Sequence, residues 1–242
     1  MSTDRLPHRG GIARAVLPLA LLAACGQAAP VAKTADATFP PASRPVAAIV
    51  SPRFSTEDQR ESVSEAKRVM DMAGTRPGMT VADIGAGEGY YTVRLAQRVG
   101  AKGRVVAEDI MPGTTKTLAE RLRAAKIANV DVVLGTPADP KLAADTFDQI
   151  FLVHMYHEIE APYELLWRMR PALKAGGRVV IVDADRPTAN HGTPPTLLDC
   201  ELAAVGYARV GGQRIEAVDA YVALYEARGS RPEPAAIKAC KA

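Results

Sequence analysis

The chain has 242 residues, with 30 Lys and Arg against 27 Asp and Glu, a formal charge of +3, and 48% hydrophobic residues. That length suits one domain of ordinary size with a segment at each end, and the apolar content is enough for a substantial core. The near balance of charge and the lack of Lys/Arg clusters argue against a nucleic-acid track, and no interior stretch reaches the roughly 18 apolar residues of a membrane span.

At the N-terminus, Arg5, Arg9 and Arg14 precede the apolar stretch Ala15 to Ala24, which ends at Cys25-Gly26. A basic region followed by a short apolar one has the layout of a secretory signal peptide, too short to span a bilayer. Leu22-Ala23-Ala24-Cys25 resembles the lipobox of bacterial lipoproteins. The resemblance implies cleavage of residues 1–24, lipidation of Cys25, and a protein exported to the periplasmic side of the cell envelope. Gly26 after the cysteine favours the outer membrane, and the absence of an Arg-Arg pair points to the general secretion route. Without residues 1–24 the chain is nearly neutral, which excludes electrostatic steering to an acidic partner.

Residues 25–54 are rich in Ala, Pro, Thr and Ser and read as a flexible tether. Two cysteines remain, Cys200 and Cys240, and an even pair in an oxidising compartment reads as a disulfide. It would tie the Pro-containing tail 228–242 to the body and, for a loop of about 40 residues, contribute about 3–4 kcal/mol.

The domain proper is expected over 55–227. Ser55-Thr56-Glu57-Asp58 reads as a helix start, and Val63, Ala66, Val69, Met70 and Ala73 give one apolar stripe up to Gly74. Pro77-Gly78 turns the chain into a short apolar strand from Thr80 that ends with Asp83 and passes through Ile84 into Gly85-Ala86-Gly87-Glu88-Gly89 and then an amphipathic helix starting at Tyr90. Strand, glycine turn and helix N-terminus is a layout in which backbone N–H groups face a bound ligand. A dinucleotide fingerprint would place a third glycine where Tyr90 stands, and a carboxylate before the glycines, as at Asp83, would repel a pyrophosphate.

Asp83-Ile84-Gly85-Ala86-Gly87-Glu88-Gly89 resembles motif I of the class I S-adenosylmethionine (SAM) dependent methyltransferases, whose ligand carries an ammonium and a sulfonium. The next strand, Gly103 to Ile110, carries Glu108 and Asp109 on opposite faces. By the resemblance Asp109 accepts from the ribose hydroxyls, with Glu108 as the alternative, and Ile110 packs on the adenine. In the loop after the third strand, either Asp139 or the Ala138 backbone reads the adenine amine, or Asp139 only starts a turn before Pro140. The helix before the first strand either covers the SAM site or packs on the sheet edge alone.

The strand from Phe147 ends in His154-Met155-Tyr156-His157-Glu158, which resembles motif IV of the same family. His154 then faces the methionine part of SAM, and His157 is the candidate base for an acceptor proton, alongside Tyr156. Glu158 either orients His157 or caps the following helix, and a purely structural His157 stays open. A metal reading of His154, His157 and Glu158 is set aside because no further Cys or Asp is placed to complete a set, and a helical zinc-protease pattern needs two histidines four apart. Leu173-Lys174-Ala175-Gly176-Gly177-Arg178 resembles the family's approach to its fifth strand. His191, further on, either lines the acceptor site or is an exposed loop histidine.

The resemblance implies a three-layer α/β Rossmann-like fold, with a seven-stranded, mostly parallel sheet and an antiparallel last strand. The cofactor would be SAM, held by Asp83, Gly85, Ala86, Gly87, Gly89, Tyr90, Asp109, Ile110, Ala138 or Asp139, and His154. It implies a methyltransferase acting on a small-molecule acceptor, with no nucleic-acid partner and no resident metal. Because SAM is a cytosolic metabolite and the N-terminus points outside, the alternative is an envelope lipoprotein on the same scaffold. That protein would bind SAM or another adenosyl ligand without transfer.

Overall fold

The computed structural model describes residues 38–49, 56–215 and 219–241; the signal-like stretch, Cys25 and much of the expected tether lie outside them. Seven strands form the sheet: β1 (Thr80–Ile84), β2 (Arg104–Asp109), β3 (Val130–Leu134), β4 (Phe147–Val153), β5 (Leu173–Ala184), β6 (Tyr207–Ile215) and β7 (Ala220–Ala227). Their order in the sheet is β3-β2-β1-β4-β5-β7-β6. β1 to β5 run parallel, and β7 enters antiparallel to both β5 and β6. This is the sheet expected from the sequence. The helices are α1 (Glu57–Ser62), α2 (Glu65–Ala73), α3 (Tyr90–Val99), α4 (Pro112–Ala124), α5 (Pro162–Met169) and α6 (Pro195–Ala204).

Parallel strands are buried on both faces, so they read as near-continuous apolar runs. Alternation divides them. Ala82, Ile84, Ile150, Leu152 and Ile181 join the core under α5 and α6, while Val81, Phe151, Val180 and Val182 join the core under α2 and α3. Strand order reverses between β1 and β4, because β1 passes outward to β2 and β3 while β4 passes to β5. Ligands in open α/β sheets bind beyond the carboxyl ends of strands at such a switch point. The glycine loop after β1 and the His154–Glu158 stretch after β4 therefore lie side by side.

The single helix expected before β1 is two. Thr56 caps α1 through a capping box with Gln59, and the chain breaks at Ser64, which takes a left-handed conformation (φ 52°). The break turns Glu65 inward, which one unbroken stripe would not have done.

The tether expected over 25–54 is shorter at its domain end. Phe39 packs edge-on against Trp167, Ala47 is buried, and Arg44 pairs with Glu201 of α6 at 3.0 Å. Composition suggested mobility there because the segment has no periodic stripe. What holds it is a few isolated side chains, and those leave no period to read.

The Cys200–Cys240 disulfide is present and closes 40 residues. The tail it ties is also packed: Ile237 is buried, the Cys240 N–H donates to Tyr163 Oη at 2.7 Å, and Trp167 Nε1 donates to Pro232 O at 2.8 Å.

Candidate functional site

The glycine loop depends on positive φ. Gly85 (φ +66°) leaves room for Met155, whose Cγ would lie 3.0 Å from an added Cβ. Gly89 (φ +89°) begins α3, and a Cβ there would collide with Leu118 Cδ1 at 2.3 Å. Side chains at either place would strain the backbone and fill the turn. With Gly87 between them, the loop stays open over the N-terminus of α3, where backbone N–H groups and the helix dipole favour electron-rich ligand atoms.

Three carboxylates converge beneath and beside this loop. Asp109, 9% exposed, accepts from the Gly87 N–H at 3.0 Å and the Met111 N–H at 2.8 Å, so its carboxylate is pinned at the loop's edge. Asp83 is 2% exposed and accepts from Thr92 Oγ1 at 2.6 Å. Burial raises its pKa to about 6, against the lowering effect of the Thr92 hydrogen bond. The Asp83 carboxylate therefore lies under the loop and is shared with α3, rather than standing clear as a ligand group. Glu108, on the opposite face of β2 as alternation requires, is also buried. Its pKa rises to about 7 through burial, opposed by a hydrogen bond from Gly85, with Asp109 and Asp83 adding to the rise. Its Oε1 has no partner among the described residues, and Gly135 is the only residue type that leaves it space, since a Cβ there would stand 1.8 Å away.

The cover over this end of the sheet comes from α1 and α2. Glu65 of α2 accepts from Arg60 Nη2 at 2.7 Å and Tyr91 Oη at 3.0 Å, and faces His154 Nε2 at 3.4 Å. Burial alone would raise the Glu65 pKa, but His154 and Arg60 outweigh it and hold it at about 2. Tyr90 Oη donates to Glu61 at 2.8 Å, and the Arg94 and Arg60 guanidinium groups lie 3.8 and 4.2 Å from the Tyr90 ring centroid. The N-terminal helices thus dock on the start of α3 and on His154, not merely on the sheet edge. His154 itself is left-handed (φ 53°), its N–H donating to Val182 O at 2.8 Å, which turns the ring out of the strand toward α2.

On the β5 side, His157 is 3% exposed, and its Nδ1–H donates to Asp183 at 3.0 Å. Asp183 also accepts from the Ala184 N–H at 2.9 Å and from Thr193 Oγ1 at 2.7 Å. Glu158 Oε1 lies 3.9 Å from His157 Nε2, and the His191 ring stands edge-on to His157 with centroids 5.4 Å apart. Asp183 stands at the carboxyl end of β5. The same strand-end logic that marked Asp83 and Asp109 could have marked it.

Two expected site residues are placed elsewhere. Tyr156 is 0% exposed, and its hydroxyl donates to Glu201 at 2.8 Å, so it cannot reach an acceptor; it is part of the core under α6. Asp139 accepts from its own turn, the Lys141 N–H at 2.8 Å, and Thr136 and Asp139 bridge across that turn, so Asp139 serves the turn and leaves only the Ala138 backbone for an adenine. Sequence reasoning passed over Glu65 and Arg44, which lie far in the chain from the groups they hold, and Thr92, which holds Asp83 from the next helix.

Residues 81–177 match the methyltransferase domain family. The match covers less than half of the chain. It spans the glycine loop, Asp109 and the His154–Glu158 stretch, and it ends before Asp183 and His191. A similar relative is the ubiquinone/menaquinone biosynthesis C-methyltransferase UbiE of Idiomarina loihiensis, 34% identical over 121 residues, covering 50% of this chain and 48% of that one. The chain spans about half the length of the curated relatives it matches. Among solved structures, a SAM-dependent methyltransferase from Aquifex aeolicus superposes with a TM-score of 0.65 at 22% identity, over 69% of this chain and 92% of that one. The [4+2]-cyclase SpnF superposes with a TM-score of 0.60 at 14% identity, over 77% and 87%. These two likenesses establish the fold, and the methyltransferase domain implies SAM as the cofactor.

Proposed function

We propose that the protein is a SAM-dependent methyltransferase acting on a small-molecule acceptor. The carrying observation is the convergence, at the β1/β4 switch point, of a glycine loop in positive φ with the pinned carboxylate of Asp109. The residues present suit the cofactor. The open loop accepts electron-rich atoms at the helix start, Asp109 offers acceptors to ribose hydroxyls, and three buried acids, one with an unpartnered oxygen, suit a cation. When bound there, SAM supplies an electrophilic methyl group on its sulfonium. Gly85, Gly87 and Gly89 would hold it from below, Ile110 and Ala138 would flank the adenine, and His154 with Glu65 would close the methionine end. On the acceptor side, Asp183 fixes the tautomer of His157 so that Nε2 offers a lone pair. Methyl transfer asks mainly for such positioning.

The test is calorimetry of the full chain with SAM and S-adenosylhomocysteine, followed by mass analysis of candidate acceptors incubated with SAM. Micromolar binding of both ligands is expected, and no binding at millimolar ligand would sink the proposal. SAM binding with no transfer to any acceptor would instead favour the ligand-binding lipoprotein.

Export and lipidation at Cys25 form the second part of the proposal. They are supported by the basic and apolar pattern of residues 5–26 and by a disulfide, a bond that persists in oxidising compartments. Labelled palmitate should enter the wild-type chain in a lipidating bacterial host and not Cys25→Ser. Equal labelling, or none in either, would reject the anchor.

A further inference from the structure

We propose that His157, Glu158 and His191 form a binding site for one divalent transition-metal ion of the zinc type, with Asp183 as its outer support. A ligating nitrogen or oxygen from each of the three residues lies within 4.8 Å of the others. Around a tetrahedral ion with bonds of about 2.1 Å, donors stand roughly 3.4 Å apart. Glu158 ends a short 3-10 turn (Tyr156–Glu158) and His191 directly follows another (Thr188–Asn190), so both ligands come from turns, and a bound ion would draw them together.

The chemistry of His157 points the same way. Asp183 accepts three hydrogen bonds, from His157 Nδ1–H, the Ala184 N–H and Thr193 Oγ1, which fixes it as an acceptor. Nδ1 therefore carries the ring proton, and Nε2 of neutral His157 is an acceptor. It faces a carboxylate oxygen of Glu158 at 3.9 Å, which is an acceptor too. His157 Nε2 and Glu158 Oε1, with the His191 imidazole edge-on beside them, are ligand types that one cation can share. A carboxylate that takes the far N–H of a histidine is also the usual outer support of a ligating imidazole. Two histidines and one carboxylate match the donor set of catalytic rather than structural zinc. Sequence spacing hid this set, because His191 is 34 residues from His157 and is brought back by the loop between β5 and α6. An ion held there would stand on the acceptor side of the site and lower the pKa of a bound hydroxyl or thiol.

The inference goes beyond the transferase proposal and is read without SAM. The full chain, stripped with a chelator and dialysed, is titrated with zinc against a chromophoric chelator, and separately with cobalt(II) while visible absorption is followed. Wild type should bind one zinc with a dissociation constant in the micromolar range or tighter, and cobalt should give the intense visible bands of a low-coordinate site. His191→Ala should weaken zinc at least 100-fold with an unchanged unfolding midpoint, and Asp183→Asn, if folded, 10- to 100-fold. Failure of the wild type to bind zinc at 100-micromolar levels, or equal binding by wild type and His191→Ala, would overturn the site. Equal binding would place the metal elsewhere on the chain.

Discussion

Asp109→Ala should weaken SAM binding about 100-fold or more in calorimetry, which is about 2.7 kcal/mol. A carboxylate that accepts from two ribose hydroxyls makes charge-assisted hydrogen bonds, each contributing roughly 1.5–3 kcal/mol. The same oxygens also brace the glycine loop through the Gly87 N–H, so the substitution loosens the cradle as well as removing the ribose partner. Asp109→Asn keeps the size and one acceptor oxygen, and should recover part of the loss. An affinity within twofold of wild type for Asp109→Ala would pass the ribose to Glu108, and Glu108→Gln should then carry the loss.

The buried acids add a pH signature to the same measurement. Asp83 and Glu108 have folded pKa values raised to about 6 and about 7. A raised carboxyl contributes stability that is fully present below its unfolded pKa and is lost as pH rises through the folded one. Between roughly pH 4 and 7 the ligand-free domain therefore loses stability from these two groups, while the site becomes anionic. A cationic ligand favours the ionised forms, so SAM affinity should rise about tenfold from pH 5 to pH 8, and the ligand-induced shift in unfolding midpoint should grow with it. A flat affinity over that range would mean that neither acid senses the bound charge.

What the sequence made legible was whatever repeats along the chain or follows from one local turn. Buried parallel strands are continuous apolar runs, so β1, β2, β4 and β5 could be read directly. The glycine loop was readable because each positive φ needs its own glycine. Three strand-end residues, Asp83, Asp109 and His154, were legible because the carboxyl edge of the sheet is where ligands meet it. The rest depends on contacts made across the fold. Glu65 was hidden by an apolar stripe that runs on either side of the break at Ser64. Tyr156 looked catalytic because it precedes His157, yet a turn of 3-10 helix sends the two side chains to opposite sides, one to Glu201 and the other to Asp183. His191 could be read only as a loop residue that either lines the acceptor site or stands exposed, because its neighbours are set by β5 ending where it does. Pairings such as Arg44 with Glu201 span 157 residues, and no periodicity records them.

That last pairing carries the largest effect on stability. Arg44→Ala should destabilise the protein by about 3–5 kcal/mol, the usual result of leaving one member of a buried ion pair alone. Both side chains are fully buried, and Arg44 Nε donates to Glu201 at 3.0 Å. The same guanidinium donates to the carbonyls of Tyr156 at 3.2 Å and of His157 and Ile159 at 3.4 Å. Removing it leaves a buried carboxylate with Tyr156 Oη as its remaining strong donor, and takes one donor from each of three carbonyls, of which Tyr156 O keeps the Ile159 N–H and His157 O the Ala47 N–H. For a chain of this size the unfolding midpoint should fall by roughly 10 °C. Arg44→Met with Glu201→Met should be less destabilised than Arg44→Met alone, because apolar side chains of similar volume remove both charges together. A loss under 1 kcal/mol for Arg44→Ala would mean that residues 38–49 are not held to the domain. The carbonyls bound by Arg44 belong to the turn that carries His157 and Glu158, and the Ala47 N–H donates to the His157 carbonyl at 3.1 Å. The segment that looked like a tether thus sets the backbone under the acceptor-side histidine, and its loss should reach the site as well as the fold.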